Sequence, residues 1–486
     1  MSRRRKSLLR TGFGKVLIFG LILLVVCFGF QLFTNTGVFH VPGVVYYDES
    51  LSNDEVEFLK NIFTEDTNLN RDVTISAKTL SMMPELKPNE YLYEITVPVV
   101  GFMESGSDVT DFEDVEYIPF EKLDFTKKLI SINGDYYLDS FDKGANFRVI
   151  QFDSPNFDNE IKPLVDGALS KVWPKKDSVL AFAQTGVTAL SRGMNDKLNA
   201  VGGDATFFST NLKDYLSSFD LTHTSNESSF SDFANGENIC SDKRFIDTIK
   251  DIGIDIVELT GNHNLDCGKQ SAIDTIDIYT ENKIKIVGGG KNLDEASQPL
   301  LLDEKDNKIT FLAYNLSTGG ATTGDYPGAN QYYEETAKND ISEAKKRDDF
   351  VIVDVQYYEC SAYASEYEDP TCDRADSAAG DQIGFFRHLI DLGADMVVGT
   401  SAHQPQTYEL YKNGVIYYGL GNLFFDQIWW PGTTRSLILA HYFYKGKLLQ
   451  TKIVPTKYDA SMQTELLDAD SSKWLIQRLA TVSPGE

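Results

Sequence analysis

The sequence predicts an α/β protein, a layered sandwich domain preceded by a small α+β domain and an N-terminal transmembrane helix. Three observations carry this. From Asp177 onward, short β-branched runs alternate with helical stretches, the rhythm of strands and helices packed in layers. Several of those runs end in polar residues able to do chemistry. An uncharged apolar stretch, Val16 to Phe33, follows a basic cluster at the N-terminus.

The apolar stretch comes first in the chain. It is 18 residues long with one amide, Gln31, close to the roughly 20 that cross a bilayer core as a helix. Arg3, Arg4, Arg5, Lys6, Arg10 and Lys15 precede it with no acid among them. That charge keeps residues 1–15 in the cytoplasm and sends the body across. Phe30, Leu32 and Phe33 are bulky and no small-x-small cleavage site follows. An uncleaved single-pass anchor in the cell membrane, residues 16–33, is therefore expected over a removed signal peptide.

A chain of 486 residues has room for two or three domains. Its net charge is −27, and −33 once the basic first fifteen residues are set aside. Such an acidic body excludes nucleic acid as a partner, because phosphate contacts need Lys and Arg. It suits an extracytoplasmic body. Cys27 lies in the anchor, and Cys240, Cys267, Cys360 and Cys372 lie in the body, an oxidising setting on this topology. Cys360 and Cys372 flank an acidic, small-residue loop and are the expected disulfide, with two free buried thiols as the alternative. No CxxC pair argues for structural zinc.

Residues 34–176 form the expected small α+β extracytoplasmic domain. Ser52-Asn53-Asp54-Glu55 is a capping box opening a helix through Phe63. Tyr91–Phe102, Lys128–Ile132 and Phe147–Phe152 alternate like strands. No cluster of the His, Cys or Ser/His/Asp type appears there, so a binding or spacer role is expected. Trp173-Pro174-Lys175-Lys176 reads as the junction.

The layered domain is expected over 177–460, followed by a C-terminal helix and tail at 461–486. Its strands are read at Ser178–Gln184, Leu221–Thr224, Asp255–Thr260, Ile284–Val287, Ile309–Tyr314, Phe350–Gln356, Asp395–Gly399 and Val415–Gly419, then Ser436–Tyr444 and Leu448–Val454. Helices are read at Asn211–Phe219, Asp242–Ile252, Ser271–Asn282 and Ile383–Leu392. Gly288-Gly289-Gly290 lacks the Lys-Ser/Thr of a phosphate loop.

Five strand ends carry polar residues: Ser225-Asn226-Glu227; Asn262-His263, with Asp266 beyond; Asp354 and Gln356, with Glu359 beyond; Ser401 to Gln404; and Asn422 to Asp426. Five in one domain suggest a shared cleft. Only six histidines occur, and two fall in these loops; His40, His223, His388 and His441 read as ordinary surface or core residues.

Together, Asn226-Glu227, G-N-H-N-x-D at 261–266, G-A-D-M-V-V-G at 393–399, His403 with Gln406, and Y-Y-G-L-G-N-L-F-F-D at 417–426 resemble the CapA-type proteins. These are named for capsule and poly-γ-glutamate synthesis and have a metallophosphatase-like fold. The resemblance covers about Ser178 to Thr456, with the blocks in order. It implies two metals that polarise a phosphoryl group and activate water. By similarity Glu227, Asn262 and His403 are metal ligands and His263 the proton donor, with Asn262 beside it in the catalytic pair. Asp266 orients the loop. Asn226, Gln356, Asn422 and Arg435 are the substrate-binding candidates, and Asp426 belongs to the same C-terminal block.

Three departures weaken that metal centre. In G-V-T-A-L-S-R at 186–192, Val187 stands where the family has aspartate, and Gln356 and Ser401 stand where it has histidines. Metal affinity tracks ligand type and count. The expectation is therefore one divalent ion (manganese, iron or zinc) or none; Glu258, Asp354 and Glu359 are acids that could compensate. Two readings follow. One is a membrane-anchored, CapA-like hydrolase acting on a phosphoester or an anionic surface polymer, within a polymer-synthesis complex. The other is a non-catalytic binding or assembly protein that keeps the cleft without the metals.

Overall fold

The structure is a computed structural model that describes residues 43–64, 67–317, 319–357 and 381–484. The expected anchor at Val16–Phe33, the Cys360–Cys372 pair and Glu359 lie outside the described residues. Among the described residues no helix is long and apolar enough to cross a membrane.

The chain divides into two compact units, one of residues up to Ser76 with Gln151–Ala168, the other of Ala77–Ile150 with Leu169–Glu486. In the first, β1 (Val45–Tyr47) pairs in parallel with the start of β2 (Val73–Met82). The capping box of Ser52 and Glu55 opens the helix Asn53–Ile62, as its sequence dictates. In the second, β3 (Glu90–Gly101) pairs antiparallel with β4 (Glu116–Pro119) and β5 (Lys127–Leu129), and β6 begins at Lys143 and runs to Asp153.

The same second unit holds two larger sheets. One contains β7 (Leu180–Thr188), β8 (Leu221–Asn226), β9 (Ile256–Glu258) and β10 (Lys285–Val287), all parallel. β11 (Gly289–Gly290) leads out of this edge. The other sheet contains β12 (Leu300–Glu304), β13 (Asn307–Asn315), then, past the short β14 (Gly328–Ala329), β15 (Phe350–Gln356), β16 (Met396–Gly399), β17 (Tyr408–Tyr411) and β18 (Gly414–Tyr417). Its four central strands β13, β15, β16 and β18 are parallel. The chain then returns to the first sheet: β19 (Asn422–Phe424) adds to the end of β7, β20 (Arg435–Tyr444) lies antiparallel beside β7, and β21 (Lys447–Lys457) and β22 (Glu465–Leu466) follow.

The inner faces of the two sheets meet in one core, in which Leu180, Phe182 and Ile256 face Ile309, Phe311, Ile352 and Met396. Leu198, Ile249 and Tyr279 bring helical segments onto the outer face of the first sheet. Ile341, Phe386 and Leu389, on helices Glu334–Lys346 and Gln382–Asp391, cover the second. The result is helix, sheet, sheet, helix: a layered α/β fold in which parallel strands are covered on both faces. That explains why β15 reads F-V-I-V-D-V-Q, a nearly continuous apolar run, and is buried along its whole length.

The expected strands are present, several with shifted ends. The helix read at Asn211–Phe219 shrinks to Lys213–Leu216, and that at Asp242–Ile252 becomes a 3₁₀ turn followed by Ile246–Asp251. Ser217 and Ser218 bond their hydroxyls back to carbonyls of the preceding turn, the local competition that ends helices at serines.

A disulfide joins Cys240 to Cys267, tying the segment after β8 to the loop after β9. The separation is 27 residues, and a loop of that size contributes roughly 3.5 kcal/mol by chain-entropy arguments. Peptide mapping without reductant is expected to recover Cys240 linked to Cys267, and Cys267→Ser to destabilise the folded chain by about 2–4 kcal/mol in denaturant unfolding.

Candidate functional site

Parallel strands place their C-terminal ends on one edge, and it is there that α/β sheets present their loops. β8 is buried throughout, and Glu227 follows its last residue. At 1 % exposure its carboxylate is out of water and needs partners. Gln356, which ends β15, supplies one. Its amide nitrogen donates to Asn262 Oδ1 at 3.1 Å and to Glu227 Oε1 at 3.4 Å. His403, in the loop after β16, brings Nε2 to 3.7 Å from Glu227 Oε2. The Glu227 backbone N–H donates to the Thr188 carbonyl at the end of β7, 3.1 Å away.

Asn422 fixes the tautomer of His403. The amide nitrogen of Asn422 donates to Gln427 Oε1 (3.2 Å) and to the Thr433 carbonyl (3.0 Å). Its Oδ1 is therefore the acceptor that meets His403 Nδ1 at 2.8 Å, so Nδ1 carries the hydrogen and Nε2 is the atom turned to Glu227. This is how a metal-binding imidazole is usually oriented.

The loop after β9 lies against Glu227 because residue 261 is glycine: a Cβ there would stand 2.7 Å from Glu227 Cα. Asn262 thereby reaches Gln356. His263 turns to Asp266 within the same loop, with Nδ1 2.7 Å from Oδ2 and the imidazole 27 % exposed. The Asn226 side chain closes its own turn by donating to the Ser228 carbonyl at 2.9 Å. Asp426 accepts from Arg192 Nε at 3.1 Å and from the Gly193 N–H at 3.0 Å. The Phe425 ring has the Arg192 guanidinium 4.4 Å and the His403 ring 5.4 Å from its centre. Arg192 has φ 52°, a region rarely adopted by residues other than glycine. Arg435 places its guanidinium 5.1 Å over Trp474 of the helix Ala469–Thr481.

The three departures also have definite places. Val187 is buried and pairs in register with Asn422. The Ser401 hydroxyl donates to the Tyr357 carbonyl at 2.8 Å. Gln356 touches both Glu227 and Asn262 through its donor nitrogen. Among the described residues no group of three or more His, Cys, Asp or Glu side chains stands ready for a metal. Of the ligands the resemblance implies, Glu227 and Asn262 both meet the Gln356 amide and His403 Nε2 stands beside the Glu227 carboxylate.

One strand pitch deeper, between the sheets, runs a second polar line. Asp354 Oδ1 accepts from Gln184 at 2.7 Å, and Oδ2 stands 3.0 Å from His223 Nε2. Gln184 Oε1 is 3.3 Å from His441 Nε2, and His441 Nδ1 is 2.8 Å from the Thr451 hydroxyl. Phe311 stacks on His223, and Phe182 on His441. Glu258 accepts the Thr260 N–H at 2.6 Å. Burial, then the charges of Asp354 and Glu227, push its pKa up to about 8. Burial, then His223, pulls His441 down to about 3. His223 and His441 are core residues, as expected, but in a polar chain that was not foreseen. The signal was present: Gln184, His223, Glu258 and Asp354 each follow an apolar residue two positions earlier on the same strand, Phe182, Leu221, Ile256 and Ile352.

The family model described as bacterial capsule synthesis protein PGA_cap matches residues 181–427, half of the chain, and that span includes Glu227, Asn262, Gln356, His403 and Asn422. The chain is 24% identical over 288 residues to the capsule biosynthesis protein CapA of Bacillus anthracis, covering 56% of this chain and 66% of that protein. It is 28% identical over 244 residues to the PGA biosynthesis protein CapA of Bacillus subtilis (strain 168), covering 49% and 60%. It is 24% identical over 249 residues to a probable polyglutamine synthesis accessory protein of Mycobacterium tuberculosis, covering 47% and 62%. The matches thus span 60–66% of these relatives' own lengths. The CapA-type resemblance read from the motifs is borne out.

The buried acid gives a signed prediction. A carboxyl whose pKa is raised on folding is neutral in the folded chain while its unfolded counterpart ionises, so stability falls as pH rises from about 4.5 to about 8. His441 acts oppositely, with its penalty present at low pH and gone above about 6.5. Of these two groups, only Glu258 still contributes above pH 6.5. Glu258→Gln is expected to stabilise the chain relative to wild type by an amount that grows with pH, on the order of 3 kcal/mol at pH 7, and levels off above pH 8. Urea unfolding across pH 5–9 reads this, and a pH-independent difference would refute it.

Proposed function

Because the chain belongs to the bacterial capsule synthesis protein PGA_cap family, we propose that it serves the synthesis or retention of a bacterial surface polymer of the capsule or poly-γ-glutamate class. The observation that carries this reading is the span of the match, which takes in all the strand ends around Glu227. Its relatives' names point the same way. On this reading the four-layer body is metallophosphatase-like. Val16–Phe33 anchors it in the cell membrane by a single pass, with residues 1–15 in the cytoplasm and the body outside, within reach of an anionic polymer or phosphoester and of a polymer-synthesis complex.

The chemistry proposed is hydrolysis at a site holding one divalent ion on Glu227, His403 and Asn262. Such an ion, when bound, polarises the bond to be cleaved and acidifies a water. The chain's own residues do the rest. Asn422 holds His403 with Nε2 turned inward. Gln356 holds Asn262. Asp266 holds the His263 ring through Nδ1, with Nε2 as the atom that would give a proton to a leaving group. Asn226 and Arg435 flank the substrate.

A second reading, a polymer-binding or assembly protein without catalysis, is favoured by one contact. The Gln356 amide nitrogen donates to both Glu227 Oε1 and Asn262 Oδ1, two of the atoms an ion would need. Val187 and Ser401 agree with it, since neither is a strong ligand.

Metal content separates the two. After loading with manganese, iron or zinc and dialysis, mass spectrometry is expected to find about one ion per chain, with affinity lowered at least about tenfold in His403→Ala. His263→Ala is expected to keep the ion and lose phosphoester turnover by about 100-fold or more. A chain that retains no ion under any loading refutes the hydrolase and leaves the assembly reading.

A further inference from the structure

The second unit contains a cavity away from the Glu227 site and independent of the function proposed above. Its volume is about 280 Å³, near the lower end of small-molecule sites, roughly 300–1,000 Å³. Phe102, Phe125, Tyr136, Tyr408, Ile453 and Ile476 make apolar walls. Phe102 and Tyr408 meet edge to face with ring centres 5.6 Å apart. The two charged residues lining it are Lys128 and Lys452, and no Asp or Glu does so. In a chain with 72 acids and 45 lysines and arginines, a lining of that sign is unexpected.

The two lysines differ. Lys452 bonds Asp139 at 3.1 Å and stands over the Tyr136 ring. Lys128 donates to a neutral acceptor, the Glu104 carbonyl, at 2.6 Å. An ammonium has three donors, and a carbonyl takes one. Burial pulls the Lys128 pKa down to about 8, against the opposing charges of Asp111 and Glu104. Asp111 is itself paired with Lys473 at 2.7 Å. Gln450, also in the wall, serves the fold: it accepts from the Leu129 N–H at 3.0 Å and donates to the Asp124 carbonyl at 2.9 Å. Lys128 is half-buried at the cavity wall and bonds a neutral carbonyl, so an incoming anion adds a charged partner that the wall does not supply.

We propose that this cavity binds a small amphipathic anion, its acidic head on Lys128 and its flat apolar body between Phe102, Phe125 and Tyr408. This gives the β3–β5 region, which carries no other chemistry, a ligand-binding role.

The probe is 1-anilinonaphthalene-8-sulfonate, titrated by fluorescence into the full chain beside N-phenyl-1-naphthylamine, the same rings without the sulfonate. Saturable binding of one sulfonate probe per chain is expected, at least about tenfold weaker in Lys128→Met, with binding of the neutral amine changed less than about threefold. Equal sulfonate affinity in the two proteins, or no saturable binding, overturns the proposal. A measurement on the unmutated chain guards against a misfolded variant. Acetylation of Lys128 by acetic anhydride, read by peptide mapping, is expected to slow at least about fivefold under saturating sulfonate probe, because a bound anion keeps the amine protonated. Unchanged acetylation overturns it.

Discussion

A carboxylate buried at the end of β8 sets the terms for the rest of the second unit. Glu227 is all but removed from water, and a charge in that position must be met by groups held in place. No single segment could do this. The last residue of β15 and the loop after β16 each bring one group, and the loop after β9 reaches the first of these through Asn262. Two different sheets therefore converge on one side chain, and the register of both is tied to it. The glycine at 261 and the amide of Asn422 are consequences: one lets the backbone come close, the other turns an imidazole the right way.

The interior between the sheets carries the same theme deeper. Asp354 sits two residues back from Gln356 on β15, so the same strand that ends at the site also delivers a carboxylate to the core. His223 and Gln184 meet it there from β8 and β7. Glu258 avoids a third buried charge by keeping its proton, the outcome that burial beside two other acids favours. Polar chains of this kind are costly unless each member finds a partner, and they make one arrangement of the two sheets far better than its neighbours.

Much of the layered body was legible in the sequence because its strands are continuous β-branched runs, which cores of parallel sheets require. The site loops were legible for a different reason: Asn262-His263, His403 and Asn422 follow such runs directly, where side chains reach the open edge. The missed features share a physical cause. The Cys240–Cys267 link joins two loops that only the sheet brings together, so spacing along the chain favoured Cys360 and Cys372 instead. The Asp354–His223 pair couples strands far apart in sequence, and either residue taken alone reads as an exception in an apolar run. The role of Lys128 depends on Tyr408 and Gln450, hundreds of residues away. Helix ends at Ser217 and Ser218 were set by local hydroxyl bonds that periodicity does not register.

Glu227 and His403 act on one another across the two sheets. A double-mutant cycle of Glu227→Gln and His403→Ala in denaturant unfolding measures that directly. A coupling of about 1–2 kcal/mol is expected, the scale of a buried charged contact. Additive effects within about 0.3 kcal/mol would mean that the two side chains are independent, and would contradict a single site built around Glu227.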